Sequence, residues 1–305
     1  MRRLYKFIIG IVVVLAVLAG GWFWWQSQQT SSSMPAAVKR VIKPRTVRIV
    51  AVGDSLTQGI GYDNDHQGYL PILKQALNKK YYVKTGTANY GIGGQRSDQI
   101  DKRIRQNTKL RQSMRRANIV TLTAGGNDLL QNLEKNILVS SDSQLTKKMA
   151  PLKTQYQQKL TNMIRDVRTV NPRAQIYLFG IYNPVYVYFT NAKMISTQVN
   201  QWNRVNQTVA ETMPRTYFVN VNQQLTYGQY QSASAQAKLQ TEDRSNNQAF
   251  VDPTKVEKLL QTQDSKEKNA YLSTHDHFHP NRKGYQVMAN KLMQAISKHV
   301  TWRSR

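Results

Sequence analysis

Cysteine is absent from the 305 residues, which excludes disulfides, thiolate metal sites and cysteine nucleophiles and leaves the redox compartment undetermined. Acid is scarce as well: 17 Asp and Glu stand against 43 Lys and Arg, a formal net charge of +26. Such a chain is drawn to polyanions, among them nucleic acid, an anionic membrane surface and an anionic cell-wall polymer. The basic residues are scattered rather than gathered on one helix, which argues against nucleic acid. Histidine is limited to His66, His275, His277, His279 and His299, so an imidazole base has few places to be. A hydrophobic content of 40% is still enough to bury a core of ordinary size, and general disorder is excluded.

Long apolar runs are lacking too, with one exception. After the basic stub "MRRLYK" comes "FIIGIVVVLAVLAGGWFWW", Phe7 to Trp25, without a charge. As a helix this run would span roughly 28 Å, close to the hydrocarbon thickness of a bilayer. The basic flank is expected in the cytoplasm, with Trp22, Trp24 and Trp25 at the opposite interface. The expectation is a stub and transmembrane anchor over 1–25, with the remainder extracellular. The small residues of "VLAGG" allow a cleaved signal instead, and then the protein is secreted. Residues 26–45, rich in Ser, Gln and Pro, read as a linker, and the folded domain is expected over 46–305.

Within that domain β-branched runs alternate with helical periodicity. Strands are expected at Val47–Val52, Tyr82–Asn89, Ile119–Ala124, Gln175–Ile181 and Thr216–Val221. Helices are expected at Tyr69–Lys80, Asp98–Met114, Leu152–Val170, Ile195–Thr212 and Lys283–His299. The alternation implies an α/β fold: a three-layer α/β/α sandwich around a mostly five-stranded parallel sheet, with its site at the carboxyl ends of the strands. Residues 222–273 break the alternation and read as an insertion, either a small lid or a mobile segment.

The chemistry-bearing residues fall at those strand ends. In "VGDSLTQG", Ser55 follows the first strand on a sharp turn, and a serine hydroxyl needs a base to become a nucleophile. "THDHFHPN" places Asp276 three residues before His279. On a turn that spacing lets the carboxylate hold the imidazole Nδ1–H and leaves Nε2 free. "NYGIGGQRS" follows the second strand and permits close approach of backbone N–H groups from Gly91, Gly93 or Gly94. "TAGGNDL" follows the third and offers the Asn127 amide, a second donor for a developing oxyanion. Asp54 and Asp128 are expected to serve turns by accepting backbone bonds. Alternating His275, His277 and His279 could face a metal, but a proline follows and no further ligand completes a shell, so neither metal nor cofactor is expected. His277 reads as a neighbour of the site, and His66 and His299 as ordinary surface residues.

Four blocks, "GDSLTQG", "GIGGQRS", "GGND" and "DHFHPN", resemble in content and order those of the SGNH hydrolases, the GDSL lipase and esterase family. The resemblance runs from about Val47 to the last helix and is closest to membrane-anchored bacterial acylhydrolase-like members. It implies an SGNH (flavodoxin-like) fold and carboxylic ester hydrolysis, with Ser55 as nucleophile, His279 as base and Asp276 orienting it. The oxyanion hole would be the Ser55 N–H, the Gly94 N–H, chosen because "QRS" follows it, and the Asn127 side chain.

The substrate is less constrained. Tyr182, Tyr186, Tyr188 and Phe189, just beyond the fourth strand, are candidates to line an acyl pocket, with ordinary packing under the insertion as the competing role. Lipid or lysophospholipid esters suit an anchored basic enzyme, and O-acetyl groups on anionic wall polymers suit the same place and charge. A non-enzymatic wall-binding module on the same scaffold is a third expectation, of another class.

Overall fold

The computed structural model describes residues 17–26, 44–62, 67–136, 141–190, 193–242, 258 and 267–300. Two compact units divide the chain, Met1–Lys43 and Pro44–Arg305. Of the first, residues 17–26 form helix α1. Among the described residues no helix is long and apolar enough to cross a membrane. The greater part of the expected anchor, and most of the linker, lies outside the described residues.

The second unit carries the five strands the sequence implies: β1 (Arg45–Gly53), β2 (Val83–Gly91), β3 (Ile119–Thr123), β4 (Gln175–Phe179) and β5 (Thr216–Val219). They form one sheet in the order β2-β1-β3-β4-β5, parallel at every pairing. Alternate residues face opposite sides. Val50, Val52, Val120, Leu122, Ile176 and Leu178 enter one core; Val47, Ile49, Ala51, Tyr177, Phe179 and Val219 enter the other. With apolar residues on both faces, the sheet has to be covered on both.

Helices α4 (Ser97–Gln106), α5 (Thr108–Arg115), α6 (Gly126–Asn136), α7 (Asp142–Val170) and α8 (Lys193–Thr212) supply residues to the first core. Helices α3 (Leu70–Tyr81), α9 (Asn222–Tyr227) and α11 (Arg282–Lys298) supply the second. Two further helices among the described residues are α2 (Ser55–Gln58) and α10 (Ala233–Glu242).

Two helix boundaries differ from expectation for local reasons. The single helix expected at Asp98–Met114 is broken at Asn107, whose backbone is extended and whose side chain accepts from Leu110 N–H, capping α5. Helix α7 begins at Asp142, ten residues before the expected Leu152, and runs through Pro151. Proline removes one intrahelical bond. The apolar stripe nevertheless continues upstream through Leu145 and Met149, both fully buried in line with Tyr156 and Leu160. Tertiary burial outweighs the local break.

Candidate functional site

In this strand order the chain reverses direction at β1, between its neighbours β2 and β3. The carboxyl ends beside such a reversal are the usual location of sites in open parallel sheets. All four sequence blocks reach this edge.

The first block is built on close approach. Gly53 ends β1, and a Cβ there would lie 2.1 Å from Thr123 Oγ1, so no side chain fits. Asp54 then caps α2, with its carboxylate accepting from Leu56 N–H at 3.0 Å and from the Thr123 hydroxyl at 2.8 Å. Burial pushes the Asp54 carboxyl up, partly offset by the Thr123 and Leu56 hydrogen bonds and the His279 charge. Below it Thr57 Oγ1 lies 2.8 Å from Thr123 Oγ1, and Tyr69 Oη lies 2.8 Å from Thr121 Oγ1. This buried hydroxyl chain fixes the turn on which Ser55 stands. Ser55 opens α2 at 7% exposure. Its carbonyl accepts from Gly59 and Ile60, whereas its Oγ makes no hydrogen bond among the described residues.

The fourth block returns to the same place. His279 Nδ1 lies 2.6 Å from Asp276 Oδ2, and Asp276 Oδ1 accepts from the amides of Phe278 and His279 at 3.0 and 2.9 Å. Burial pushes the Asp276 carboxyl up, but the His279 bond and charge and the two amides outweigh it and hold the group below the usual carboxylate range. The expected orientation of His279 by Asp276 is thus present, and Nε2 is left without a hydrogen bond among the described residues. Gly61, on the turn after α2, packs against His279: a Cβ there would lie 2.7 Å from His279 Cβ. The Tyr285 hydroxyl on Ile60 O (2.8 Å) and the Tyr182 hydroxyl on Phe278 O (2.7 Å) hold the two loops.

The three candidate glycines of the second block differ in their amides. Gly91 N–H donates to Asn89 Oδ1 at 2.9 Å and Gly93 N–H to Gln58 Oε1 at 2.6 Å. Gly94 N–H donates no bond among the described residues, and at φ +73° its surroundings are open within 4 Å. Of the three, Gly94 alone keeps a free donor. Asn127 reaches the same loop, its Nδ2 donating to Gln95 O at 2.9 Å with a second N–H to spare.

Asp54 serves its own turn, as expected, but Asp128 does not. Its carboxylate accepts from Ser97 N–H at 2.8 Å and from the Ser97 hydroxyl at 2.7 Å, 31 residues away. Sequence reasoning missed Arg103 altogether. Its guanidinium donates to Tyr90 O (2.8 Å), Gly53 O (2.9 Å) and Gln95 Oε1 (2.6 Å), joining the ends of β1 and β2 to the glycine loop. An arginine in the last turn of a helix reads as a partner of the helix dipole and carries no sequence signal for such a role. His277 was expected as a neighbour, and it is buried against Glu267, Nδ1 to Oε2 at 2.5 Å. His275 is exposed and His66 lies outside the described residues. His299 is no ordinary surface residue, since its ring stacks on Tyr217 at 3.7 Å.

The aromatic stretch is largely enclosed. Tyr182 and Tyr186 are 8% exposed. Tyr186 meets Tyr227 edge-on at 4.7 Å, Tyr188 meets His277 at 6.0 Å, and Phe189 packs on the first core. Tyr186 and Val187 share a small cluster with Leu239 of α10. The packing role under the insertion is therefore present. Ile92, between two glycines of the loop, is 44% exposed.

The sequence profile of the GDSL-like Lipase/Acylhydrolase family matches residues 51–287. The chain belongs to this family. The protein is therefore an ester hydrolase, which sets aside the non-enzymatic binding module. Uncharacterized protein YpmR of Bacillus subtilis (strain 168) is 26% identical over 251 residues, 82% of this chain and 81% of that protein. Spore germination lipase LipC of Bacillus licheniformis is 22% identical over 170 residues, 52% of this chain and 73% of its own. Among solved structures, the lipase Lip_vut3 from a goat rumen metagenome superposes with a TM-score of 0.58 at 20% identity, over 82% of this chain and 97% of its own. That likeness is one of fold.

Proposed function

We propose that this GDSL-family hydrolase is an extracytoplasmic serine esterase, held at the membrane by the Phe7–Trp25 run, that acts by a Ser55–His279–Asp276 triad. The observation that carries the reading is the His279 Nδ1 to Asp276 bond of 2.6 Å. It fixes the tautomer in which Nε2 carries the lone pair, and among the described residues neither this nitrogen nor the Ser55 Oγ is engaged in a hydrogen bond.

In this mechanism His279 Nε2 takes the Ser55 proton as Oγ attacks the ester carbonyl carbon. The oxyanion forms against the Ser55 N–H, the Gly94 N–H and the free N–H of Asn127. His279 then protonates the departing alkoxide, leaving an acyl-Ser55. Water, deprotonated by the same nitrogen, attacks the acyl carbon, and Ser55 regains its proton as the carboxylic acid leaves. Asp276 stays ionised throughout and stabilises the imidazolium.

The substrate is an ester of a lipid or of an acylated wall polymer. Ile92, exposed between Gly91 and Gly93 of the glycine loop, supports an apolar acyl contact, and Tyr182, Tyr186, Tyr188 and Phe189 would shape the wall of an acyl site. Hydrolysis of p-nitrophenyl esters from acetate to palmitate, with Ser55→Ala alongside, tests the reading. Ser55-dependent cleavage is expected, and chain-length preference separates lipid esters from acetyl groups. Cleavage that survives Ser55→Ala would refute the triad.

A further inference from the structure

A second pair of histidine and acid sits in the turn that carries Asp276 and His279. Glu267 Oε2 lies 2.5 Å from His277 Nδ1, and the two side chains are 4% and 1% exposed. A carboxylate only accepts, so Nδ1 carries the hydrogen of this bond. The other oxygen, Glu267 Oε1, accepts from Asn269 N–H at 2.6 Å. Asn269 is itself fully buried, its Nδ2 donating to Leu225 O of α9 at 2.7 Å and its Oδ1 accepting from Tyr271 N–H at 3.0 Å. Glu267 is thus fastened to the body of the domain before it meets the histidine.

His277 is held in a conformation that an L-residue other than glycine takes only against a steric cost. Its φ is +51°, in the left-handed region, between Asp276 and Phe278. Glycine would adopt this φ freely, so the imidazole stands there against a local preference, and its bond to buried Glu267 offsets that cost. The backbone around it is tied as well: His277 N–H donates to Ser273 O at 3.0 Å, and Ser273 N–H to His279 O at 2.8 Å. Tyr188 meets the imidazole edge-on at 6.0 Å, and its Oη accepts from Lys268 N–H at 2.9 Å, next in the chain to Glu267. A ring this buried cannot touch a substrate, so the pair is no alternative to His279 and Asp276 as a catalytic dyad.

We propose that Glu267 is a positioning residue for the catalytic base, acting through His277. The inference rests on the Ser55–His279–Asp276 triad proposed above and extends it by one layer. The Glu267 bond holds His277 in its left-handed turn. That turn sets the Phe278 and His279 amides on Asp276 Oδ1, at 3.0 and 2.9 Å, and leaves Asp276 Oδ2 to meet His279 Nδ1 at 2.6 Å. Without the Glu267 bond the backbone at 277 is free to relax out of the left-handed region, and Asp276 and His279 shift with it. A displacement of about 1 Å at a catalytic group is enough to slow a reaction by up to about 100-fold. Glu267 lies in the polar stretch 222–273, ten residues from its partner, where the sequence carries no motif to point to it.

A double-mutant cycle on the full chain separates positioning from plain stability. With p-nitrophenyl acetate, and rates normalised to folded protein, Glu267→Ala should lower kcat about tenfold with little change in KM. In an Asp276→Ala background the same substitution should change the Ser55-dependent residual rate by less than about twofold, because Glu267 acts only through that carboxylate. Low-field proton NMR gives a readout that needs no turnover. Wild type should show two imidazole Nδ1–H resonances, one lost in His277→Asn and the other in His279→Ala, and Glu267→Ala should remove the first and shift or broaden the second. An unchanged kcat in Glu267→Ala, an equal loss in both backgrounds, or a His279 resonance untouched by Glu267→Ala overturns the inference. Should Glu267→Ala fail to fold, His277→Asn goes through the same cycle with the same expected losses, since asparagine takes the left-handed φ readily but removes the imidazole. A wild-type spectrum without the His277 resonance refutes the bond itself. Activity that survives Ser55→Ala in the same series would instead refute the triad, and the inference with it.

Discussion

Asp128, after β3, accepts both the amide and the hydroxyl of Ser97, after β2, at 2.8 and 2.7 Å. The carboxylate is thus a pin between the loop that carries Gly94 and the turn that carries Asn127. Both groups of Ser97 are buried. Asp128→Ala leaves them unpaired and should destabilise by about 2–4 kcal/mol, since each orphaned buried group costs about 1–3. Asp128→Asn should recover most of the loss, because its carbonyl accepts the amide and its NH2 donates to the hydroxyl. Urea unfolding of the two variants checks the difference.

Arg103 makes the corresponding tie between strands. Its three donors hold Gly53, Tyr90 and Gln95. Arg103→Met keeps the stem but loses charge-assisted bonds, and an overall destabilisation of about 2–3 kcal/mol is expected. In the proposed mechanism the glycine loop acts on the transition state, so loss of this positioning residue should lower kcat about tenfold with little change in KM. Steady-state kinetics with a soluble ester distinguish this from a purely structural loss, which would reduce active fraction without touching the KM of what remains and would vanish on normalising to folded protein.

A pH effect on stability is expected from Asp101. Burial, followed by the hydrogen bond and charge of Asp166, pushes its carboxyl up to about 6, against the pull of Arg105. The folded state therefore holds a proton that the unfolded chain has released, between about pH 4 and 6, and stability declines as pH rises through that window. Asp101→Asn, whose amide can donate to Asp166 in place of the proton, should remove the decline and be more stable by about 1–2 kcal/mol at neutral pH. Denaturant midpoints at acidic and neutral pH read this directly.

Much of this arrangement was legible in the chain because it depends on local signals. The five strands were readable from β-branched runs, and Ser55, Asn127, Asp276 and His279 from short blocks placed at strand ends. What was not legible depends on distant partners. Asp128 looked like a turn residue, yet its acceptors are used by Ser97. Arg103 and Thr123 sit in unremarkable helix and strand patterns and acquire roles only when three loops converge. The helix expected from Leu152 stopped short of Pro151, whereas Leu145 and Met149, which extend it upstream, find their core only in the folded sheet. The aromatics after β4 read equally as pocket or packing, and Tyr186 against Tyr227 shows the packing.

Asn127 offers the sharpest single-residue test of oxyanion stabilisation. With one N–H on Gln95 O and one to spare, Asn127→Ala should lower kcat about 100- to 1,000-fold and leave KM nearly unchanged. Asn127→Asp should be at least as damaging, since a carboxylate repels the oxyanion. Turnover of p-nitrophenyl acetate by each variant supplies both numbers.

The central claim is that Ser55, made nucleophilic by His279 on Asp276, carries the acyl group. The most direct measurement is reaction of the folded full chain with a fluorophosphonate probe, followed by peptide mass mapping. One phosphonyl group on the Ser55 peptide, lost in Ser55→Ala and strongly slowed in His279→Ala, is the result expected. Label on another serine such as Ser97, or equal labelling of Ser55 without His279, would contradict it.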